Sequence, residues 1–304
     1  MKLSCKRIIA IILLMSCFAG PVAAEPLDDA VAAYGNGDYA TALPIFRTLA
    51  DQGMARAQAI LGVMYTNGQG VPKNDTEAMK WYRLAADQGD PGAQTALGVI
   101  YANGQGVPKD SEKGLEWFRK AADQGYANAQ NNLGTIYDRG DGVAQDYVEA
   151  AKWYRLASDQ GYANAQINLA NMYINGRGVP RDYVEAVKWS RLAAEQGLAA
   201  AQYNLAFAYA NGQGVSQDYA EAVKWSQLAA DQGFTTAQYY LGIAYGNGLG
   251  VPKDLVQSYK WFEVAAVHGY KDATQGRQAA AERMSSAQIE EAQKLAREWQ
   301  PTRQ

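Results

Sequence analysis

Residues 67–73 read Asn-Gly-Gln-Gly-Val-Pro-Lys, and residues 103–109 repeat the same seven residues. Two glycines one residue apart, with a lysine behind them, are the raw material of a phosphate cradle. Backbone N–H groups would ring the anion and the ammonium group would face it. Such a cradle needs a preceding strand and a pattern such as GxxxxGK[ST] or GxGxxG. Here Pro72 and Lys73 follow closely behind Gly70, the third glycine is missing, and the preceding segment has helical periodicity. Further along the chain the lysine is kept as Lys109 and Lys253 but replaced by Gln145, Arg181 and Gln217, while both glycines stay. The glycines therefore serve backbone geometry, and the segment reads as a connector between helices.

The remaining candidates for chemistry are few. His268 is the only histidine, and both cysteines, Cys5 and Cys17, fall in the first 24 residues. A metal site or a thiolate or imidazole mechanism needs companions that the rest of the chain does not supply. No catalytic residue, metal or cofactor is expected. Asp51, Asp87, Asp123, Asp159, Glu195 and Asp231 recur where a helix should end, an unfavourable place for negative charge. They are expected to reach across the following turn to the N-terminal amides of the next helix. Trp81, Trp117, Trp153, Trp189, Trp225 and Trp261 could stack on a sugar. Their identical apolar context favours core packing.

Those tryptophans are 36 residues apart, and so are Tyr65, Tyr101, Tyr137, Tyr173, Tyr209 and Tyr245. The glycines from Gly53 to Gly269 hold the same interval. Six units start at Met54, Asp90, Tyr126, Tyr162, Leu198 and Phe234. Each predicts two helices. The first carries AQxxLGxxY and stops at Asn-Gly, with Gly68 and its equivalents left-handed. The second starts at Asn74, Asp110, Asp146, Asp182, Asp218 or Asp254. Glu77, Glu149, Glu185 and Glu221 stand three residues on, the spacing of a reciprocal capping box. Gly114 sits inside the second helix of the second unit and is expected to weaken it.

The composite pattern AQxxLGxxYxxGxGVxxDxxEAxKWxxxAAxQG resembles the Sel1-like repeat, a relative of the tetratricopeptide repeat. The resemblance covers residues 54–269, and residues 25–53 resemble a shorter tetratricopeptide-like helix pair. It implies an all-α, right-handed α-solenoid of about seven helix pairs whose first helices line a concave surface. Residues 270–304 leave the period. Ser285 starts a helix with Ile289, Ala292, Leu295, Ala296 and Trp299 on one face, expected to cap the stack.

The first 24 residues read as a signal peptide. Lys2, Lys6 and Arg7 precede the apolar run IIAIILLMSCFAG, too short for a transmembrane span, and Val22-Ala23-Ala24 offers cleavage after Ala24. A lipid anchor at Cys17 is the minor alternative. The protein is then periplasmic or secreted, with no transmembrane segment in its mature part. Its 28 basic and 31 acidic side chains give no broad attraction for nucleic acid.

Under the solenoid reading, function belongs where the units differ. On the first helices two positions run Ala59, Thr95, Asn131, Ile167, Tyr203, Tyr239 and Val63, Val99, Thr135, Asn171, Phe207, Ile243. Tyr203, Phe207, Tyr239, Tyr240 and Ile243, with Ile167 and Asn171, are the candidate contacts for a protein or peptide partner. The expected function is a non-catalytic interaction scaffold in envelope regulation or assembly. The alternatives are a secreted host-interaction factor and a β-lactamase-like or cell-wall-binding repeat protein. The last is disfavoured because the repeats lack a cysteine pair and no Ser-x-x-Lys motif occurs.

Overall fold

The computed structural model describes residues 24–302. Apart from Ala24, the signal-peptide reading of residues 1–24, with Cys5 and Cys17, lies outside them. Every regular element among the described residues is a helix. The chain divides into two compact units after residue 157. In the first, α1 (Ala24–Gly35) and α2 (Tyr39–Asp51) form a short opening pair. They are followed by α3 (Ala55–Asn67) with α4 (Asp75–Asp87) and α5 (Pro91–Asn103) with α6 (Ser111–Asp123). The fourth pair is α7 (Ala127–Arg139) and α8 (Tyr147–Asp159), and the last turn of α8 contains the boundary. The second unit holds α9 (Ala163–Asn175) with α10 (Tyr183–Glu195) and α11 (Ala199–Asn211) with α12 (Tyr219–Asp231). It ends with α13 (Thr235–Asn247) and α14 (Leu255–Val267), then α15 (Ala273–Ala281) and α16 (Ser286–Glu298).

The double-glycine loop has the structural role its sequence suggested. Gly68 closes α3 at φ 70°, with its N–H donating to the Met64 carbonyl. Gly70 is also left-handed, at φ 71°, and a Cβ there would lie 2.9 Å from Cβ of Tyr39 on the preceding pair. The first glycine thus ends a helix and the second lets the loop lie against its neighbour.

All six second helices are capped as expected. Asn74 accepts from the N–H groups of Thr76 and Glu77, and Asp110, Asp146, Asp182, Asp218 and Asp254 do the equivalent. The reciprocal half of the box does not form. The backbone N–H it would serve already donates to a tyrosine carbonyl: Asn74 to Tyr65, Asp146 to Tyr137, Asp182 to Tyr173 and Asp218 to Tyr209. The glutamates turn elsewhere. Glu185 and Glu221 accept from the indole N–H of Trp189 and Trp225, each at 3.1 Å, and pair with Lys188 and Lys224.

The core ring in most repeats is the residue after the tryptophan. Tyr82, Phe118, Tyr154 and Phe262 are buried, whereas only Trp81, Trp189 and Trp261 among the six tryptophans are; Trp117, Trp153 and Trp225 are half-exposed. Each buried ring lies on a glycine of the facing first helix. A Cβ on Gly62, Gly98, Gly134 or Gly242 would come within 2.5–2.7 Å of Tyr82, Phe118, Tyr154 or Phe262. Where the ring is replaced by buried Ser190 or Ser226, the glycine position holds Ala170 or Ala206. Volume is traded between the two helices of a repeat, as close packing requires.

Two hydrogen-bonded ladders join neighbouring pairs. Gln58 Nε2 donates to the Ala50 carbonyl at 3.0 Å, and its Oε1 accepts from Gln88 Nε2 at 2.7 Å. Gln94 with Gln124, Gln166 with Gln196 and Gln202 with Gln232 repeat the arrangement. The last rung is broken. His268 replaces the donor glutamine, and Oε1 of fully buried Gln238 has no hydrogen-bond partner. The second ladder runs from an arginine to the recurring tyrosine hydroxyl of the next pair: Arg47 to Tyr65 (2.5 Å), Arg119 to Tyr137 and Arg191 to Tyr209 (both 2.7 Å), and also Arg83 to Tyr101.

The carboxylates at the helix ends do not act as expected. Asp51, Asp87, Asp123, Asp159 and Glu195 are exposed and reach no amide of the next helix. Asp231 is half-buried and accepts from Gln227 instead. At Met54, Tyr126, Tyr162, Leu198 and Phe234 the first helices have no side-chain cap; Asp90 supplies its own, accepting from the Ala93 N–H at 2.7 Å. Gly114 lies within α6, which runs its full 13 residues. A Cβ there would meet the Gly98 carbonyl at 3.0 Å and Ala102 at 3.1 Å. The glycine thus permits a close approach of α5 and α6.

At the end of the second unit α16 closes the last repeat, as expected. Ser285 and Gln288 form a full capping box at its start. Ala292 is buried, Trp299 meets Trp261 (6.1 Å) and His268 (5.5 Å) edge to face, and Thr302 donates twice to the Asp231 carbonyl.

Candidate interaction surface

The first helices of the second unit carry the aromatic positions. The rings at 203 and 239 each meet a ring 31 positions on, Phe234 just before α13 and Tyr270 in the turn before α15. Tyr203 lies 5.3 Å from Phe234, and Tyr239 stacks on Tyr270 at 4.4 Å with Phe262 at 5.5 Å. Tyr203 and Tyr239 are thus held between neighbouring pairs yet remain half-exposed. Phe207, one turn along α11, lies 6.4 Å from Tyr203 and is 48% exposed. Beside it the Asn204 side-chain amide donates to Asn171 Oδ1 at 2.8 Å, and Asn171 is exposed.

The other expected contacts divide. Ile243 is half-buried beside Phe262, Tyr239 and Tyr270. Tyr240 belongs to a different cluster, with Leu241, Trp261 and Tyr203, and its buried hydroxyl has no hydrogen-bond partner. Ile167 is a correction: it is buried at 8% exposure with Leu205, Ala201 and Leu198, so it cannot offer its side chain to a partner.

The first unit treats the equivalent positions differently. Ala59, Val63, Thr95, Val99 and Asn131 are buried. Small side chains let consecutive first helices touch, α3 with α5 and α5 with α7, and that contact covers them. In the second unit the same register holds the rings of Tyr203 and Tyr239, which stay half-exposed although α13 also touches α15.

The phenols are neutral groups. Burial raises the pKa of Tyr203, with Tyr270 adding to it; burial also raises that of Tyr239, and pushes Tyr240 up to about 12. Ring faces, hydroxyl donors and side-chain amides can grip an apolar or hydrogen-bonding segment. The described residues hold no cluster of three metal-ligating side chains. A cleft in the first unit, lined by Thr66, Asp75, Tyr82, Ile100 and Gln105, has room for about one water molecule. No described helix is long and apolar enough to cross a membrane.

The rings Phe234 and Tyr270, which complete the surface, were missed in the sequence. The signal was available: each follows a tyrosine by 31 residues, a spacing hidden by the dominant 36.

Comparison with known proteins agrees with this architecture. The Sel1 repeat pattern matches residues 55–90, 91–126, 127–162, 163–198, 199–234 and 235–270. A search of curated proteins finds no match. Among solved structures the chain resembles c5321, a protective antigen present in uropathogenic Escherichia coli strains that displays an SLR fold. They share 33% identity and a TM-score of 0.83, over 91% of this chain and 60% of that one. This chain therefore spans about three fifths of that relative's length. A Sel1 repeat protein from Oxalobacter formigenes is 37% identical at a TM-score of 0.74, over 80% of this chain and 99% of that one. Six consecutive matched repeats and an all-helical stack of pairs identify the chain as an α-solenoid that belongs to the Sel1 repeat family.

Proposed function

We propose that this chain is an exported, non-catalytic scaffold that binds a partner protein or peptide on the ring-bearing face of α11 and α13. The observation that carries the reading is Phe207. It is a large apolar side chain, 48% exposed, beside a half-open tyrosine that its neighbours hold in place. A preformed aromatic face limits the side-chain entropy lost on binding, and aromatic residues dominate the energetics of such contacts. The Asn171–Asn204 pair supplies adjacent polar groups for orientation. Export is supported by the basic and apolar start of the chain. It is also supported by the likeness to a protective antigen, a role compatible with exposure to antibodies. A place in envelope regulation or assembly follows from export together with a repeat fold generally used for protein interaction.

The test is crosslinking and pull-down from intact cells, wild type against Tyr203→Ala/Phe207→Ala. Partners lost in the double variant support the reading, and an unchanged partner set removes it. N-terminal sequencing of the exported protein should begin at Glu25. Turnover of nitrocefin by the purified chain would replace the scaffold reading with the enzymatic one.

A further inference from the structure

The second helices of the second unit carry a stripe that the surface above does not use. Its rungs are spaced i, i+4, i+8: Val184, Lys188 and Leu192 on α10; Ala220, Lys224 and Leu228 on α12; Val256, Lys260 and Val264 on α14. Residues at that spacing share one helix face. On α10 and α12 the stripe is open, with Val184 65%, Leu192 40% and Leu228 44% exposed. On α14 it is covered. Val264 is only 3% exposed and clusters with Ala296 of α16 and with Trp299 at its C-cap, while Val256 packs in the same cluster as Ile289. The covering helix uses Ile289, Ala292, Ala296 and Trp299, spaced i, i+3, i+7, i+10, which is one face. The protein therefore shows on its last repeat what kind of element fits this stripe.

We propose that the open stripes of α10 and α12 dock an amphipathic helix of a partner protein, with a face like that of α16: small apolar residues closed by an aromatic ring. This surface lies on the second helices and stands apart from the aromatic face of α11 and α13. The argument is repetition. α10, α12 and α14 start from the same aspartate cap and carry the Lys-Trp pair at the same register. The backbone platform under α16 thus recurs with its apolar rungs uncovered.

The flanks refine the partner's chemistry. α10 and α12 carry Glu185–Lys188 and Glu221–Lys224 ion pairs where α14 has Gln257. A docked helix needs polar groups of both signs beside its apolar face, as α16 has in Glu290, Glu291 and Lys294. A second copy of this chain is the poorer occupant. Its α16 is already seated, with Trp299 against Trp261 and His268 and Thr302 bonded to the Asp231 carbonyl. Delivering it elsewhere would first uncover Val264.

The test uses a labelled peptide of residues 285–302 as the probe, titrated with the purified chain and followed by fluorescence anisotropy. Saturable binding is expected. Leu192→Glu/Leu228→Glu should weaken it about tenfold or more, as should Trp299→Ala in the peptide. Tyr203→Ala/Phe207→Ala should leave it unchanged. Both altered leucines are substantially exposed, so the variant should fold, which circular dichroism checks. Absence of saturable binding overturns the proposal. So does binding that survives the leucine changes, since the peptide would then have exchanged with α16 on α14. Loss of binding in the Tyr203/Phe207 variant would move the site to the first helices and equally overturn it. Dimerisation seen by light scattering and abolished by the leucine changes would assign the stripe to a second copy and overturn the partner assignment.

Discussion

At the scale of single residues, the ring-on-glycine contact makes the clearest demand. Gly98→Ala would place a Cβ 2.7 Å from the Phe118 ring, and overpacking of this kind costs about 1–3 kcal/mol. The same alanine should cost little in a Phe118→Ser background, because Ala with Ser is the combination at Ala206 and Ser226. Urea midpoints of the single and double variants measure that coupling. Tyr154 makes a second demand. It is buried against Gly134 and its pKa is pushed up to about 12 by burial. In the unfolded chain the phenol ionises near 10, so its folded environment favours the neutral form. Its contribution is complete below pH 10 and is lost as pH rises toward 12. Tyr154→Phe should accordingly lose less stability than wild type between pH 9 and 11.5, as read by denaturant titration at each pH. Neither contact could be read from the sequence. The recurring glycine of AQxxLG and the position after tryptophan were both visible, but nothing along a line of letters shows that they face each other.

At the scale of the element, capping was the most legible feature. Asn74, Asp110 and their equivalents all bond as their types and positions imply, because a cap is local. Asp182→Ala should cost about 0.5–2 kcal/mol. The glutamates three residues on were misread, since the amide they would have served is claimed by a tyrosine from the previous helix. Such a claim is tertiary and leaves no local mark. The closing helix was legible as an amphipathic pattern outside the repeat. Ending the chain before Ser285 should expose Val264 and Trp261, lower the melting temperature and raise binding of an apolar dye. Trp299→Ala is expected to cost roughly 2 kcal/mol, below the range for a fully buried ring, since Trp299 is half-buried.

At the scale of the molecule, the 36-residue period showed the repeated helix pairs, because repetition lets one pair stand for six, and the family resemblance implied the solenoid. The candidate surface was only half legible. The drift from Ala59 to Tyr239 was plain. Whether a residue at that register is buried or open depends on how closely consecutive first helices approach, and so Ile167 was placed on the wrong side. The charge distribution adds a prediction of its own. Most ion pairs among the described residues are local Glu–Lys contacts on exposed helix faces, and the face proposed to bind a partner is made of rings and amides. Raising salt from roughly 0.1 to 1 M should screen charges without weakening capture of the partner, checked by repeating the pull-down at both concentrations.

The volume exchange between glycine and ring has a genetic corollary. A crossover that adds or deletes DNA in whole multiples of 36 codons, cut at the Gln-Gly turn, transmits each matched couple intact. A cut at the Asn-Gly loop instead can join the Gly134 half of one tile to the Ser226 half of another, leaving a void, or the Ala206 half to the Phe262 half, leaving a clash. The length of this protein should therefore vary among its descendants in steps that respect the first kind of breakpoint.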